Sequence, residues 1–340
     1  MDQKPSSQIF CSKAWTSFEV EHDGTVAPCC MSKVVCGNVT KSSIAELWNG
    51  EGFREFRRKM AQGQWQDICR PECPRLRGAI NDSVESSLSE VFADNYQKNL
   101  AEIANRTIVL ESWPRIWKAT ASTLCNLDCI MCYQDRNDLR VLPSSFFEEI
   151  ATLYPFMQEM QLIGGEPFAI KRLRTIMAEF PKERYPDAKF SIVTNGTVHD
   201  DKTVDLVAGL NVSWMSISID AASAPTYERI RRGGNFENTM NGVRKFIALG
   251  RKKGFPVHIA FCVMSENLHE VAAFAQLGRE LGADVLFGRV SRSFYVNDQH
   301  LIDEEKLKAE VQRAKALVAP PAPMHLANLT LSALVQQATR

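Results

Sequence analysis

Six short apolar runs alternate with helical patterns from about Arg115 onward, and this alternation constrains the fold more than any other feature of the chain. The runs are residues 114–121, 160–164, 189–194, 211–220, 256–264 and 283–290. Each has the length of a strand, and such alternation is typical of a parallel sheet built from strand–helix units. Eight units close a complete barrel. The sequence therefore predicts an α/β fold whose sheet falls short of a full barrel.

Two helices carry clear boundary signals. The first is predicted over Phe236 to Leu249, with Asn235 as its N-cap and Gly250 at its exit. The second is predicted over Glu304 to Val318, where the prolines of residues 320–323 end it and a short C-terminal helix follows.

Composition limits the classes of function. Lys and Arg together number 40, as do Asp and Glu, so no basic excess points to nucleic acid or to a membrane surface. The first ten residues lack a cationic stretch followed by an apolar one, and no apolar run approaches the roughly 18 residues that span a bilayer. We expect a cytoplasmic protein with a small-molecule substrate. Ten cysteines, nine of them in two sets, then indicate metal or catalysis rather than disulfides.

The run CNLDCIMC places Cys125, Cys129 and Cys132 directly after the first predicted strand. Three thiolates can hold three corners of a four-iron cluster, which normally takes four cysteine ligands, so one iron would stay open for chemistry. The same spacing also occurs in zinc sites and in electron-transfer ferredoxins. A Gly-Gly-Glu-Pro turn follows the second strand and supports the catalytic interpretation.

This cysteine run and the Gly-Gly-Glu-Pro turn resemble the radical S-adenosylmethionine (SAM) superfamily. The resemblance implies a partial (β/α)6 TIM-like barrel with the cluster at the C-terminal mouth of its strands. It implies that the open iron binds SAM, that the cluster cleaves SAM reductively to a 5′-deoxyadenosyl radical, and that a donor such as flavodoxin or ferredoxin supplies the electron.

The resemblance also implies a set of SAM contacts. The backbone of the turn formed by Gly164, Gly165, Glu166 and Pro167 would bind the SAM amino group. Glu166 either helps in this or is a solvated turn residue. The ribose and methionyl contacts would come from the ends of the third and fourth strands, where barrel ligands bind, although ordinary turn chemistry also explains these residues. They are Thr194, Asn195, Ser218 and Asp220.

Arg231 is the candidate carboxylate clamp within the run from Arg229 to Gly234, because a guanidinium makes bidentate pairs with carboxylates. A solvated helix end is the alternative for this run.

A second cysteine set lies in the first 73 residues, around a predicted hairpin from Phe18 to Pro28 that turns at Asp23-Gly24. The stretch resembles the SPASM/twitch domains that carry auxiliary clusters, and six local cysteines suffice for one four-iron cluster but not for two. The predicted ligands are Cys11, Cys29, Cys69 and Cys73. Cys30 is the alternative to Cys29, Cys36 is expected to be a small buried residue, and a zinc ribbon is the alternative for the whole set.

The predicted organisation is an auxiliary-cluster domain at 1–80, a helical connector at 81–111, the partial barrel at 112–300 and C-terminal helices at 301–340. These segments use up the chain and leave no separate peptide-binding or cobalamin-binding domain. We therefore expect a carbohydrate, a cyclitol or a similar small metabolite as substrate. A peptide-modifying maturase is the alternative, and a non-catalytic iron–sulfur or zinc protein is the alternative from another class.

Cys262 stands apart from both sets, on the strand face that is expected to look into the barrel. As a hydrogen-atom donor its thiol would make the enzyme an epimerase, while a packing role is the plainer alternative. Without such a donor, an auxiliary cluster that accepts an electron from the substrate radical would give net oxidation.

Overall fold

The computed structural model describes residues 9–71, 73, 89–132, 134–135, 137–180, 183–289 and 302–317. The strands within them are β1 Ser17–Val20, β2 Thr25–Ala27, β3 Gly37–Asn38, β4 Ile116–Thr120, β5 Asp128–Cys129, β6 Glu159–Ile163, β7 Lys189–Thr194, β8 Val212–Ser218, β9 Arg231–Arg232, β10 Val257–Val263 and β11 Asp284–Arg289. The helices are α1 Lys13–Thr16, α2 Ile44–Trp48, α3 Glu51–Ala61, α4 Trp65–Ile68, α5 Glu90–Ala104, α6 Ser144–Ala151, α7 Lys171–Ala178, α8 Asp201–Gly209, α9 Ala224–Ile230, α10 Phe236–Lys253, α11 Val271–Leu281 and α12 Glu304–Leu317. None of these helices has both the length and the apolar character to cross a bilayer.

Six strands form a parallel sheet in the order β4, β6, β7, β8, β10, β11, which is also their order along the chain. All six predicted strands are therefore confirmed. Helices cover one face of this sheet, where Met215 and Ile217 are fully buried and Phe261 packs 4.7 Å from the ring of Phe274 on α11. The opposite, inward face carries the more polar and less buried positions of each strand. The fold is the expected α/β partial barrel.

The N-terminal strands extend this sheet rather than forming one of their own, which the sequence did not predict. Strand β1 runs parallel to β4, and β2 and β3 follow as antiparallel neighbours. The predicted turn of the hairpin is confirmed, since Gly24 adopts a left-handed φ of 82°. Phe18 of β1 lies 4.9 Å from the ring of Trp117 on β4. This contact continues the hydrophobic core across the junction.

A buried polar network fastens helix α5 to the junction between the two parts. Asn99 donates to the carbonyl of Trp15 at 2.6 Å and accepts from Nε of Arg115 at 2.8 Å. Glu102 of the same helix accepts from the backbone N–H of Ser112 at 3.2 Å. Because buried polar groups are costly without partners, these contacts fix the helix in one position.

Helix α10 runs four residues further than predicted. The cap by Asn235 is confirmed, because its side chain accepts from the Asn238 N–H at 2.9 Å. Gly250 does not end the helix, which continues to Gly254 with φ 83°. A Cβ at Gly250 would lie 2.6 Å from Val257, so this glycine permits close packing on β10. Helix α12 is described as far as Leu317, and the predicted C-terminal helix lies outside the described residues.

Candidate metal centre and barrel interior

The structure brings the three cysteines of the CNLDCIMC run together in the loop after β4. Burial raises the pKa of Cys129 to about 11, Arg231 opposes this rise, and the Cys125 and Cys132 thiols contribute to it. Cys129 also lies on the short strand β5, which pairs with Arg231 on β9. The loop is thus attached to the far side of the barrel mouth.

Three N–H groups point at the sulfurs of this loop. The backbone N–H of Leu127 lies 3.5 Å from Cys125 Sγ, and Asn195 Nδ2 lies 3.8 Å from the same atom. Arg231 Nη1 lies 3.8 Å from Cys129 Sγ. Hydrogen bonds to the sulfurs are a standard feature around iron–sulfur clusters, where they orient the ligands and tune the metal. The residues present therefore fit a cluster held by these three thiolates.

The glycine turn lies directly on the backbone that precedes Cys125. Gly164 and Gly165 have φ values of 88° and 47°. A Cβ on Gly165 would lie 1.7 Å from the carbonyl oxygen of Leu124, so no other residue fits there. The Gly165 N–H donates to Oε1 of Gln134 at 3.2 Å. The turn is built for close approach of its backbone to the cysteine loop, and Pro167 follows it in a buried position.

Glu166 is fully buried, so the alternative of a solvated turn residue is wrong. Its carboxylate accepts from Thr194 Oγ1 at 2.8 Å, from the Asn195 N–H at 2.6 Å and from the Phe168 N–H. Burial raises the pKa of this carboxyl, and the three donors oppose the rise. Glu166 therefore ties the glycine turn to the end of β7, and it positions Asn195 next to Cys125.

Asp220 and Arg231 form a buried ion pair at the ends of β8 and α9. Asp220 Oδ2 lies 2.5 Å from Arg231 Nη2, while Asp220 Oδ1 accepts from the Cys262 N–H at 2.6 Å. Asp220 has a left-handed φ of 62°, unusual for a residue other than glycine. Arg231 is only 7% exposed, so the alternative of a solvated helix end is wrong for this residue. Its Nε has no hydrogen-bond partner among the described residues.

Asn267 completes this corner of the site, and the sequence analysis missed it. The side chain is fully buried and donates from Nδ2 to the carbonyls of Asp220 and Cys262, both at 2.9 Å. Its Oδ1 accepts from the Met264 N–H. An asparagine five residues after Cys262 carries no spacing signal of its own. Ser218, another of the predicted SAM contacts, is the last residue of β8 and is half-buried.

Cys262 lies on the inward face of β10, as the alternation of its strand predicts. Phe261 and Val263 on either side are buried on the helix-covered face, whereas Cys262 is half-buried. The thiol packs against a small apolar cluster of Met131, Ile230 and Met264 beneath the cysteine loop. Burial raises its pKa to about 12, so the thiol stays protonated at neutral pH.

The N-terminal cysteines also converge, with one exception. The Cys11 and Cys30 thiols raise the pKa of Cys29, and the Cys11 and Cys73 thiols raise the pKa of Cys69, although burial is the larger cause in both. Cys36 instead lies in the hydrophobic core at 6% exposure. No three His, Cys, Asp or Glu side chains of the described residues converge tightly enough for a single metal ion. A four-iron cluster is larger and holds its thiolates at separate corners.

Two polar side chains near the N-terminal cysteine set face the barrel interior. Glu19 and Lys118 are neighbours in the β1–β4 register and face inward, opposite to Phe18 and Trp117, with 3.6 Å between Glu19 Oε2 and Lys118 Nζ. The Glu19 carboxylate contributes to the raised pKa of Cys29. The sequence analysis missed these inward polar residues, although their alternation with buried apolar neighbours along each strand was a usable signal.

Two families match the chain. The family described as "Radical SAM superfamily" matches residues 120–278, and the family described as "Iron-sulfur cluster-binding domain" (SPASM) matches residues 11–74. A radical SAM domain implies SAM and a four-iron cluster, and a SPASM domain implies auxiliary iron–sulfur clusters.

Two curated relatives each align with more than half of the chain. A protein named probable GTP 3′,8-cyclase from Methanocaldococcus jannaschii is 26% identical over 208 residues, which cover 58% of this chain and 67% of that protein. An AdoMet-dependent heme synthase from Methanosarcina barkeri is 31% identical over 191 residues, which cover 52% of this chain and 50% of that protein. The aligned stretch thus spans half to two thirds of these relatives.

Solved structures of SuiB from Streptococcus suis share the fold. One has a TM-score of 0.51 at 14% identity and covers 79% of this chain and 59% of that one. The SAM-bound form has a TM-score of 0.50 at 15% identity and covers 88% of this chain and 68% of that one. The two family matches, together with the cysteine loop, the glycine turn and the N-terminal cysteine set, identify a radical SAM domain at residues 120–278 that follows a SPASM domain at residues 11–74.

Proposed function

We propose that the protein is a radical SAM enzyme that oxidises a small metabolite in the barrel interior, with one auxiliary cluster as the electron acceptor. The observation that carries this proposal is the position of Glu19, which faces the interior on β1 and influences the pKa of Cys29. Because β1 continues the barrel sheet, Glu19 and Lys118 face the barrel interior beside the N-terminal cysteine set, and a cluster held there would border the space in which the substrate is proposed to lie. Electron transfer from a substrate radical to an auxiliary cluster needs such a shared space.

Two separate sets of cysteines would hold the two clusters. Cys125, Cys129 and Cys132 would hold the SAM-binding cluster, and Cys11, Cys29, Cys69 and Cys73 would hold the auxiliary one, with Cys30 as the alternative to Cys29. When bound, the first cluster supplies reductive cleavage of SAM, using an electron from a donor such as flavodoxin or ferredoxin.

The SAM contacts would come from the three regions that meet at the barrel mouth. The turn from Gly164 to Pro167 presents its backbone, and the ends of β7 and β8 present Thr194, Asn195 and Ser218. Glu166 and Asp220 act mainly by positioning these segments, since their carboxylate oxygens already accept protein hydrogen bonds. Arg231 keeps its Nε available for a carboxylate while its Nη atoms contact Asp220 and Cys129.

In the oxidation, the 5′-deoxyadenosyl radical would take one hydrogen atom from a substrate C–H bond, which gives 5′-deoxyadenosine and a substrate carbon radical. The auxiliary cluster held by the N-terminal cysteines would accept one further electron, and one proton would leave the adjacent O–H or N–H group. The product is a carbonyl or an imine, two hydrogens lighter than the substrate.

The substrate class is the finer part of the proposal. Carbohydrates and cyclitols are the expected substrate classes, but the names of the curated relatives mention GTP and heme and lend those classes no support. A SuiB structure contains the precursor peptide SuiA, which keeps peptide modification as the alternative. Size fractionation separates the two classes directly.

Epimerisation is a second candidate, favoured by one specific observation. The Cys262 thiol faces inward and its pKa of about 12 keeps its hydrogen in place at neutral pH. A thiol there would return a hydrogen atom to the substrate radical from the opposite face. Its packing against Met131, Ile230 and Met264 supports the plainer role of a buried residue.

The test uses the anaerobically reconstituted full chain with SAM, a reductant and a cell extract split by molecular mass. We expect the low-mass fraction to stimulate 5′-deoxyadenosine formation and to yield a product two hydrogens lighter. Cys69→Ala with Cys73→Ala should still cleave SAM but lose that product. Stimulation by the peptide fraction alone would contradict the small-metabolite proposal, and full product formation by the double variant would contradict the role of the auxiliary cluster.

Cys262→Ser separates the two reaction types. If the protein is an epimerase, the wild-type product gains one deuterium from deuterated water, and the serine variant consumes SAM but gives little inverted product. If oxidation is correct, the serine variant turns over normally and no solvent deuterium enters the product carbon.

A further inference from the structure

A buried and a half-buried polar side chain lie side by side on the inward face of the barrel, away from the cysteine loop. They are His258 on β10 and Asp284 on β11, which are direct register partners. We propose that these two residues and the indole face of Trp214 bind a protonated amine of the substrate. The proposal rests on the proposed function in placing the substrate in the barrel interior, and it adds the chemical group by which the substrate is recognised.

Strand register places the three side chains together. His258 is the partner of Ser216 on β8 as well as of Asp284, so these three form one row across the sheet. Trp214 lies two residues before Ser216 and therefore on the same face, diagonally next to His258. Met215 and Ile217, which alternate with them, are fully buried on the helix-covered face.

Each member of the pair has a buried polar atom that no described residue satisfies. His258 is only 9% exposed, and its Nδ1 has no hydrogen-bond partner. Oδ1 of Asp284 is likewise buried without a partner. Because buried polar atoms are nearly always paired in folded proteins, two adjacent unpaired atoms on an inward face point to a ligand that pairs them.

The charges on the inward face favour a cationic ligand at this place. Glu19 has the cation Lys118 beside it, with 3.6 Å between Glu19 Oε2 and Lys118 Nζ. Asp284, by contrast, has a buried oxygen without a hydrogen-bond partner and makes no ion pair with any residue that the structure describes. Its negative charge is therefore left for a ligand to balance.

The three side chains match an ammonium group in chemistry. A carboxylate oxygen accepts from N–H donors, and a neutral imidazole accepts through its unprotonated nitrogen. Burial lowers the pKa of His258, and the Asp284 carboxylate only partly opposes this, so the imidazole is neutral at pH 7. Trp214 is half-buried, and an indole face attracts cations. A hydroxyl group would satisfy the acceptors but gain nothing from the charge or the ring.

The test measures binding of n-butylamine to the full chain with both clusters loaded and oxidised. Saturating SAM is added first, so that the SAM amino-group site is already filled. Saturation-transfer NMR at pH 7 then compares n-butylamine with 1-butanol and butyrate, which match it in size but are neutral and anionic. We expect the amine to bind at least tenfold more tightly than either.

Three variants locate that binding. Asp284→Asn keeps the shape of the side chain and should weaken amine binding about tenfold or more, and Trp214→Leu should weaken it to a lesser extent. Asp205→Asn removes an exposed carboxylate on α8 and is the matched control, with no expected change. Iron content and circular dichroism confirm that each variant is folded.

Equal binding of the amine and the alcohol, or amine binding that Asp284→Asn leaves unchanged, would overturn this proposal. Neither result depends on SAM cleavage. Formation of 5′-deoxyadenosine by the wild-type protein tests the proposed function on its own, so the two failures can be told apart.

Discussion

The carboxylate of Asp220 and the guanidinium of Arg231 form a buried ion pair that joins the candidate cluster loop to two barrel strands. Their closest atoms are 2.5 Å apart. Asp220 also accepts from the Cys262 N–H on β10, and Arg231 lies 3.8 Å from Cys129 Sγ. A single ion pair thus connects the loop that carries Cys129 with the C-terminal ends of β8 and β10.

Removing the cation should be strongly destabilising. In Arg231→Leu the Asp220 carboxylate stays buried without its partner, and breaking a buried pair in this way costs about 3–5 kcal/mol. The adjacent Arg232 is exposed, and Arg232→Leu should change the free energy of unfolding by less than about 0.5 kcal/mol. Urea unfolding of the cluster-loaded proteins measures both. Similar midpoints for the two variants would show that the ion pair does not hold this corner of the barrel.

The same cation should tune the cluster. A positive charge near an iron–sulfur cluster favours its reduced form, which carries one more negative charge. Arg231→Gln should therefore lower the midpoint potential of the SAM-binding cluster, measured by a redox titration followed by EPR. Arg229→Gln, on the exposed end of α9, is the control. An unchanged potential in Arg231→Gln would contradict the contact with Cys129.

Gly165→Ala tests the fit of the glycine turn against the cysteine loop. The new Cβ would lie 1.7 Å from the Leu124 carbonyl, and the φ of 47° disfavours alanine as well. Because the clash is with backbone, the segment entering Cys125 must move, and we expect loss of the iron bound there. Gly209→Ala meets no atom within 4 Å and is the control. Iron analysis after reconstitution measures this loss. A Gly165→Ala protein that binds as much iron as the wild type would contradict the prediction.

His258 predicts a pH dependence of stability. Burial lowers its pKa below the usual 6.5, so the folded state binds fewer protons at this group than the unfolded state. The stability that the neutral His258 imidazole contributes is fully present above about pH 6.5, and it is lost as the pH falls below that value. Since the Asp284 carboxylate favours the protonated imidazole, Asp284→Asn should lower the His258 pKa further. NMR titration of the imidazole measures this, and a rise in the Asp284→Asn variant would contradict the side-by-side arrangement.

The strands and the cysteine loop could be predicted because local patterns encode them. Strand β7 has the predicted bounds of 189–194, and the cap by Asn235 follows from its residue type and position. The cysteine run and the glycine turn are short contiguous motifs, so their chemistry was visible without any tertiary information.

Long-range contacts explain what the sequence did not reveal. Gly250 was expected to end helix α10 because glycine commonly follows the last residue of a helix. In the structure it lies inside the helix and permits close packing on Val257 of β10. Glu166 looked like a turn residue because its partners, Thr194 and Asn195, are 28 and 29 positions away. The pairing of β1 with β4 joins segments about 100 residues apart, and no local pattern specifies such a neighbour.

Iron content fixes the number of clusters. One three-cysteine set and one four-cysteine set predict two four-iron clusters, or roughly eight irons per chain by Mössbauer spectroscopy and iron analysis. Zinc bound to the N-terminal cysteines, or roughly twelve irons per chain, would require a different assignment of that set.

The central claim is that Cys125, Cys129 and Cys132 hold the cluster that cleaves SAM, and formation of 5′-deoxyadenosine tests it most directly. The anaerobically reconstituted full chain is incubated with SAM and dithionite, and the nucleoside products are separated by chromatography. The account predicts 5′-deoxyadenosine from the wild-type protein and none from the variant with all three cysteines replaced by alanine, which should still retain the N-terminal cluster. Formation of 5′-deoxyadenosine by that triple variant, or none from a fully loaded wild-type protein, would contradict it.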